Sequence, residues 1–484
     1  MSEKNIGNLE PKIVWSIFEE ITNIPRPSKK EDKIRTWVKN WAKQNGISSL
    51  KEDGVGNILL RKEASNGCEK YPTLIIQAHL DMVCQKEPNF TFNCEKDPIN
   101  AFVDGEKVTA KGTTLGSDNG IGISYGLAAL ISNNLKHGPL EVLLTVDEET
   151  GMTGAFGLKS GFFSGNYLLN VDSEMIGKVT ISSAGGGGTD IVVPITLEEK
   201  QNYRGFKLVI SGLTGGHSGL DIDLPRLNAI KVGIDSLMDI KDSILLVSMN
   251  AGSAHNAIPR DFECEFIVPK EQASKVLKHL KQWKKSTLLL AKISEPNIKI
   301  DFKETKIAHA TNTEKTNSVL NILYDIEHGP ITYSKEITGL VQTSSNLAVV
   351  KSNEKNIQIH VSTRSFVNEE LDTVRNEIKG IGEKYKAKVT LDEAYPGWMP
   401  NPNSPFVKMV KKSYEEVLEK PVALEAIHAG LECGLFVALN PELQVTSIGP
   451  NIHNAHSPDE YVEIKSVEII WNIVKKVIEN MCSL

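Results

Sequence analysis

The sequence predicts an α/β fold: a mixed, largely parallel sheet flanked by helices, interrupted by an inserted α+β domain. Three observations predict it. Short apolar runs, Val142 to Val146 above all, end abruptly in acids and read as buried strands of a parallel sheet. Ser182-Ser-Ala-Gly-Gly-Gly-Gly188 then breaks that style, and alternating strands and helices of another kind follow. Tyr395-Pro-Gly-Trp-Met-Pro-Asn-Pro-Asn-Ser-Pro405, stiffened by proline, returns the chain to its first style. The expected domains are residues 1–184 and 396–484 as two parts of one α/β domain, with 185–395 inserted between them. A chain of 484 residues is too long for one core, which agrees with more than one domain.

Taken in order, Pro11 to Ile24 has apolar positions at helical spacing, closed by the Pro25-Arg-Pro break. Asp32 to Gln44 repeats the pattern and ends at Asn45-Gly46. Gly56 to Leu60 and Thr73 to Gln77 read as strands, the second apolar enough to be central. It runs into Ala78-His79-Leu80-Asp81, where a His and an Asp two apart share one strand face. His79 could there bind a metal, with Asp81 orienting it. Asp118 sits among Gly116, Gly120 and Gly122 just before a helix, Ile121 to Ser132. The glycines miss the dinucleotide spacing G-x-G-x-x-G by one residue, and no P-loop is present, so nucleotide binding is excluded.

The strand at Val142 ends in Asp147-Glu148-Glu149. Ligands in open α/β sheets collect at such carboxyl ends, and adjacent carboxylates repel unless a cation or shared proton compensates. Neighbouring strand residues point oppositely, so one glutamate could bind metal while the other handles a water's proton. Tyr167 to Asp172 is another apolar strand ending in an acid. Singly, each of these reads as a solvated turn or a cap; together they point to one cleft.

The four glycines Gly185 to Gly188 read as a hinge or boundary, since such a run is costly inside an element. The insert should be two-layered, with helices on one face of a mostly antiparallel sheet: strands at Phe206–Ile210, Ile244–Met249, Asp261–Val268, Leu340–Val350 and Ile357–Ser362, helices at Leu224–Met238, Glu271–Leu290, Ser318–Asp325 and Glu369–Glu383. Three polar residues stand out there: His217 in a glycine-rich loop, Asn256 before a strand, and Arg364 on or just past one. Taken singly, each is an ordinary loop, turn or surface residue. After the second linker come a helix (Pro405 to Leu418), a strand (Gln444 to Ile448), two rival histidines, His453 and His456, and a closing amphipathic helix. Spacing alone does not choose between the histidines.

A formal net charge of -7 and the lack of basic runs argue against nucleic acid. No window approaches the roughly 18 apolar residues of a membrane span, and the polar start does not read as a secretory signal. The six cysteines have no C-x-x-C spacing and read as reduced thiols of a cytoplasmic protein, with a single disulfide the alternative that an even count leaves open.

With these residues assembled, the chain resembles the M20 family of dinuclear metallopeptidases, and within it the aminoacyl-histidine dipeptidase branch. The resemblance is carried by Ala78-His79-Leu-Asp81, Gly116-Ser-Asp118-Asn-Gly, Asp147-Glu148-Glu149-Thr-Gly, Val171-Asp172-Ser, Gly215-Gly-His217-Ser-Gly and Ala455-His456-Ser-Pro-Asp-Glu460. Ile427-His-Ala-Gly-Leu-Glu-Cys-Gly-Leu-Phe436 carries the branch. The resemblance implies that Asp118 bridges two divalent metals, zinc in first place, with manganese or cobalt as alternatives. His79 and Asp172 would complete one site, Glu149 and His456 the other. It implies Glu148 as general base, Asp81 as the partner of His79, and His217 as oxyanion donor reaching from the partner subunit of a homodimer. Arg364 would bind the substrate's carboxylate, with Asn256 as a further contact. His428 and Glu432 are motif neighbours, read either as substrate contacts for the histidine side chain or as packing or helix-capping residues. Closure at Gly185–Gly188 and Pro396–Pro405 would bring the insert, a lid and dimerisation domain, onto the metals. The implied activity is hydrolysis of Xaa-His dipeptides, β-alanyl-histidine included. The alternatives are a tripeptidase or N-deacylase of the same family and a catalytically inactive binding protein.

Overall fold

The computed structural model describes residues 5–307, 309–335, 337–428 and 430–484. The chain forms two compact units. One comprises Met1–Ser182, Met399–Ala426 and Leu431–Leu484; the other comprises Ser183–Trp398 and Ile427–Gly430.

The first unit is built on an eight-stranded sheet in the order Ser49–Glu52, Ile58–Lys62, Leu140–Thr145, Leu74–His79, Tyr167–Asn170, Gln444–Ser447, Lys178–Ser183, Ala423–Ile427. Its centre is parallel: Leu74–His79 pairs with Leu140–Thr145 and with Tyr167–Asn170, which in turn pairs with Gln444–Ser447. The outer pairing of Ile58–Lys62 with Leu140–Thr145 is antiparallel. Both Leu74–His79 and Leu140–Thr145 are buried at every position, as a strand covered on both faces must be. The helix Ser117–Ile131 is itself buried almost throughout, and Tyr125 stacks on Trp471 of the closing helix Ile464–Asn480 at 6.3 Å. Register sets up the site. His79 lies opposite Thr145 and Gln77 opposite Asn170, so the segments carrying residues 79–81, 147–149 and 172 leave one edge together.

The second unit centres on a nine-stranded sheet whose pairings are antiparallel. Ile234, Val276, Leu320 and Val374 from its four long helices join Leu208, Phe266 and Leu347 from the sheet in one core. The helix expected from Leu224 starts only at Ala229. There Asn228 accepts the N–H groups of Ile230 (2.8 Å) and Lys231 (3.3 Å) as an N-cap.

Two expectations are corrected. Gly185 to Gly188, read as a hinge or boundary, follow the passage between units at Ser182–Ser183 but are not a free hinge: they begin the strand Gly185–Pro194, paired residue by residue with Ser365 back to Ser362. Close approach explains the glycines. A Cβ on Gly186 would stand 2.5 Å from the Tyr395 hydroxyl, and one on Gly187 would stand 2.7 Å from the Arg375 guanidinium. The six cysteines are not all thiols. Cys84 and Cys94 form a disulfide with Cα atoms 6.2 Å apart; Cys68, Cys264, Cys433 and Cys482 are free. Between Cys84 and Cys94 the chain turns, the Phe90 N–H bound to the Glu87 carbonyl (3.1 Å) and the Lys86 ammonium to the Phe92 carbonyl (3.3 Å), so two cysteines whose spacing gave no sign of pairing lie close together. No helix among the described residues is long and apolar enough to cross a membrane.

Candidate metal centre and active site

The strand Leu74–His79 delivers His79 to the sheet edge, and Asp81 follows fully buried. Glu148 and Glu149 lie differently from the expected strand alternation. Asp147 adopts a left-handed conformation (φ 53°, ψ 44°) and turns the chain into a short helix, Glu148–Gly151. The Asp147 carboxylate accepts the hydroxyls of Thr150 and Thr153 and so holds this turn. Asp81 fixes the turn to the neighbouring strand: its two oxygens accept the N–H groups of Glu148 (3.0 Å) and Glu149 (3.2 Å) and the Ser28 hydroxyl (2.7 Å). The alternation expected of a strand is thus replaced by a helical turn, and both glutamates face the same cluster.

Asp118 sits in the first turn of Ser117–Ile131, where its own dihedrals (φ -82°, ψ 110°) leave the helical region. Its oxygens divide between two groups. Oδ1 stands 3.1 Å from His79 Nε2, which is also 3.2 Å from Asp172 Oδ1. Oδ2 stands 3.1 Å from His456 Nε2, which is also 3.0 Å from Glu149 Oε2. Ligand atoms of His79, Asp118 and Asp172, and of Asp118, Glu149 and His456, lie within 4.8 Å of one another; those of His79, Glu148 and Glu149 do so too. Asn119 donates to Asp172 from the same helix start.

Three carboxylates crowded onto two imidazoles make a strongly negative, partly dry site. Asp118 and Glu149 push His456 up to about 11. Burial opposes charge on His79, but Asp172, Asp118 and Asp81 outweigh it and the net shift is upward. Burial above all, with Asp172, Glu432 and Glu149 adding, holds the Glu148 carboxyl well above the usual range. Glu149 Oε1 is buried with no hydrogen-bond partner among the described residues, a lone pair that a cation would satisfy. Mixed imidazole and carboxylate donors suit zinc, manganese or cobalt, so the residues fit two divalent ions.

His453 belongs elsewhere: it stacks on Tyr461 at 4.6 Å and meets Glu463 at 3.0 Å. Glu432, expected to face the substrate, is 1% exposed and accepts from Gln77 (2.7 Å) and Thr145 (2.7 Å) inside the sheet. Burial pushes it up to about 8. Sequence reasoning passed over Arg26, Asn119 and Glu174. The last is a carboxyl beside the cluster, open at the residue's surface, that desolvation, with Asp118 and Asp172, raises to about 8. No sequence signal singled them out, because their roles depend on chain segments meeting in space.

The second unit gathers its own polar group. His217 pairs opposite Ala257, and its Nδ1 accepts the N–H groups of Gly219 (3.2 Å) and Leu220 (3.1 Å). The ring is therefore neutral with its proton on Nε2, and burial and Arg364 depress its pKa in the same sense. The Asn256 carbonyl accepts the Ser218 N–H at 2.8 Å, which ties it to the His217 loop. Arg364 lies opposite Ser344, donates to the Tyr395 hydroxyl (3.2 Å), and keeps a buried Nε with no partner among the described residues. His428 meets Ser344 Oγ at 2.7 Å, and burial, then Arg364, brings it down to about 3.

The profile of Peptidase family M20/M25/M40 matches residues 75–480. The chain is 37% identical over 489 residues to the cytosol non-specific dipeptidase of Escherichia coli (strain K12), with 99% of each covered. Its structure is similar to that of the aminoacylhistidine dipeptidase from Vibrio alginolyticus, with a TM-score of 0.89 and 36% identity over 98% of this chain and 97% of that one. A Staphylococcus aureus tripeptidase shares the fold at a TM-score of 0.58 and 15% identity, covering 98% of this chain and 100% of that one. The chain belongs to peptidase family M20/M25/M40 and is a hydrolase of peptide bonds.

Proposed function

We propose that this chain is a dinuclear metal-dependent dipeptidase that hydrolyses Xaa-His dipeptides, β-alanyl-histidine among them, and other dipeptides. The observation that carries the reading is Asp118, whose two oxygens face separate His–carboxylate pairs. The names of the E. coli and V. alginolyticus relatives support dipeptides over tripeptides as substrates. His79, Asp118 and Asp172 would hold one cation, and Asp118, Glu149 and His456 the other, with zinc first and manganese or cobalt as alternatives. When bound, such a pair lowers the pKa of a water and polarises the scissile carbonyl.

The chain's own residues do the rest. Glu148 takes the proton of the attacking water and returns it to the leaving amine; burial raises its carboxyl above the usual range, the direction that favours its holding the proton between the two transfers. Asp81 holds the backbone of Glu148 and Glu149 in place while facing His79 Nδ1 at 3.3 Å. His217, with its proton on Nε2, donates to the developing oxyanion. Arg364 pairs with the substrate's carboxylate, Asn256 adds a contact, and His428 offers its free Nδ1 to the substrate. Glu432 acts from beneath, adding to the field that raises Glu148.

The insert serves as a lid and as the contact of a homodimer in which His217 serves the partner's centre. Leu289, Leu290 and Ile293, at 73%, 84% and 95% exposure, support an association surface. We infer a cytoplasmic location from the cytosolic relative. Acid-quenched lysis followed by alkylation in denaturant tests it against the Cys84–Cys94 link, since a reducing compartment leaves all six cysteines as thiols.

The test is hydrolysis of β-alanyl-histidine, several α-dipeptides and tripeptides by zinc-loaded protein, with Glu148→Ala as control. Cleavage of His-terminated dipeptides by wild type and a silent variant are expected. Tripeptide cleavage with dipeptides left intact would overturn the substrate class, and an active Glu148→Ala would overturn the general base.

A further inference from the structure

We infer that Glu460 and Arg26 form a buried frame that sets the spacing of the metal ligands, making both of them positioning residues for the centre. The inference rests on the dinuclear reading above. Glu460 is 2% exposed, and its carboxylate takes five donors: the N–H groups of Leu115 (2.8 Å), Gly116 (3.0 Å), Ser117 (2.8 Å) and, at 3.5 Å, Asp118, and the Ser117 hydroxyl (2.6 Å). These fill the carboxylate, and they come from the three residues that precede Asp118 and from Asp118 itself. Glu460 also follows His456 by four positions, and its own N–H is bound to the Ser457 carbonyl at 3.1 Å. One side chain thus ties the segment bearing Asp118 to the segment bearing His456.

Arg26 supplies the complementary tie. It is 2% exposed, and its guanidinium donates to the carbonyls of Leu80 (3.0 Å), Asp81 (2.6 Å) and Gly116. The strand end that carries His79 and Asp81 is therefore held to the same glycine. The Gly116 backbone is gripped on both sides, its carbonyl by Arg26 and its N–H by Glu460. No side chain fits there: φ is +71°, and a Cβ would stand 2.7 Å from Met82 Sδ and 2.8 Å from an Arg26 nitrogen. Three ligand-bearing segments converge on one residue.

Geometry is what this arrangement supplies. A buried charge pair is a weak source of net stability. Asp118 must meet His79 and His456 at once, and a frame that fixes those three backbone segments before binding removes reorganisation from the binding step.

The experiment uses the full chain, stripped of metal and titrated with zinc against a chelator of known affinity. Wild type is expected to take two ions. Glu460→Gln keeps the shape but turns an NH2 group toward N–H donors, whichever way the amide faces. Its zinc affinity should fall about 10- to 100-fold, with KM unchanged and kcat recovering at saturating zinc. Arg26→Lys, whose ammonium cannot span three carbonyls, should act in the same direction. A folded Glu460→Gln that binds zinc as wild type does overturns the frame and leaves the dinuclear reading standing. Should Glu460→Gln fail to fold, Ser117→Ala decides: it removes one donor and no charge, and is expected to weaken zinc about 3- to 10-fold. No change in it overturns the frame. A wild-type chain that takes up no zinc overturns the dinuclear reading and the frame with it.

Discussion

Replacing Asp81 with asparagine tests whether one buried carboxylate holds the catalytic turn to the sheet. Burial alone would raise Asp81; His79, the Ser28 hydroxyl and the Glu148 N–H outweigh it and bring the carboxyl from 3.8 to about 2. A shift of that size is a preference of about 2 kcal/mol for the charged form in the folded chain. Asparagine forfeits it and leaves one of the two N–H groups, of Glu148 or Glu149, facing an amide nitrogen. These are two views of one loss, so the expected destabilisation is about 2–3 kcal/mol, or roughly 2–5 °C in the melting temperature of the metal-free protein. The sign with pH follows from the depressed pKa. The stabilisation is complete above the unfolded value and is lost as pH falls toward the folded one. The gap between wild type and Asp81→Asn should therefore be constant from pH 5 to pH 8, narrow below about pH 4 and close toward pH 2. Thermal unfolding of both proteins across that range is the assay. Equal melting temperatures at pH 7, or a gap that persists in acid, would refute the reasoning.

Glu432 works in the opposite sense. Burial raises it from 4.5 to about 8, so the folded chain holds a proton that the unfolded chain has lost, and metal-free stability falls as pH rises between those values. Glu432→Gln should remove that slope and be more stable than wild type at pH 8 by about 2–4 kcal/mol, read by urea denaturation at pH 5 and pH 8; a slope that survives the substitution contradicts this. His217→Ala should lower kcat about 100- to 1,000-fold as a lost oxyanion donor while KM stays close to wild type, so a loss confined to KM would assign His217 to substrate binding instead. Arg364→Ala should raise the dipeptide KM by about 30- to 150-fold, the loss of a charge-assisted pair worth about 2–3 kcal/mol; steady-state rates on a dipeptide and on its C-terminal amide would then converge. Gly187→Ala drives a Cβ to 2.7 Å from the Arg375 guanidinium, and calorimetry should register about 1–3 kcal/mol of lost stability.

What the sequence made legible, and what it hid, divides along a physical line. His79, Asp118, Glu149 and Asp172 could be picked out because an apolar strand or a glycine-rich turn ending in a metal-binding side chain is a local pattern, and strand ends of a parallel sheet meet at one edge. The choice between His453 and His456 was not local. It is made by left-handed conformations at Asn454 (φ 54°) and His456 (φ 64°), which send one ring to Asp118 and leave the other against Tyr461. The glycine run misled for a related reason: its small size reflects Tyr395 and Arg375, some two hundred residues along the chain, and not freedom at a joint. Arg26 reads locally as part of a proline break, and Glu460 as the tail of the motif that carries His456. Both act on backbone groups, and a carbonyl or an N–H has the same composition at every position. A side chain that binds metal declares itself by type; one that binds the peptide groups around the metal does so only once the chain is folded. The pattern of ligands in this sequence therefore says which atoms meet the ions, while the precision of their meeting depends on residues that no spacing could reveal.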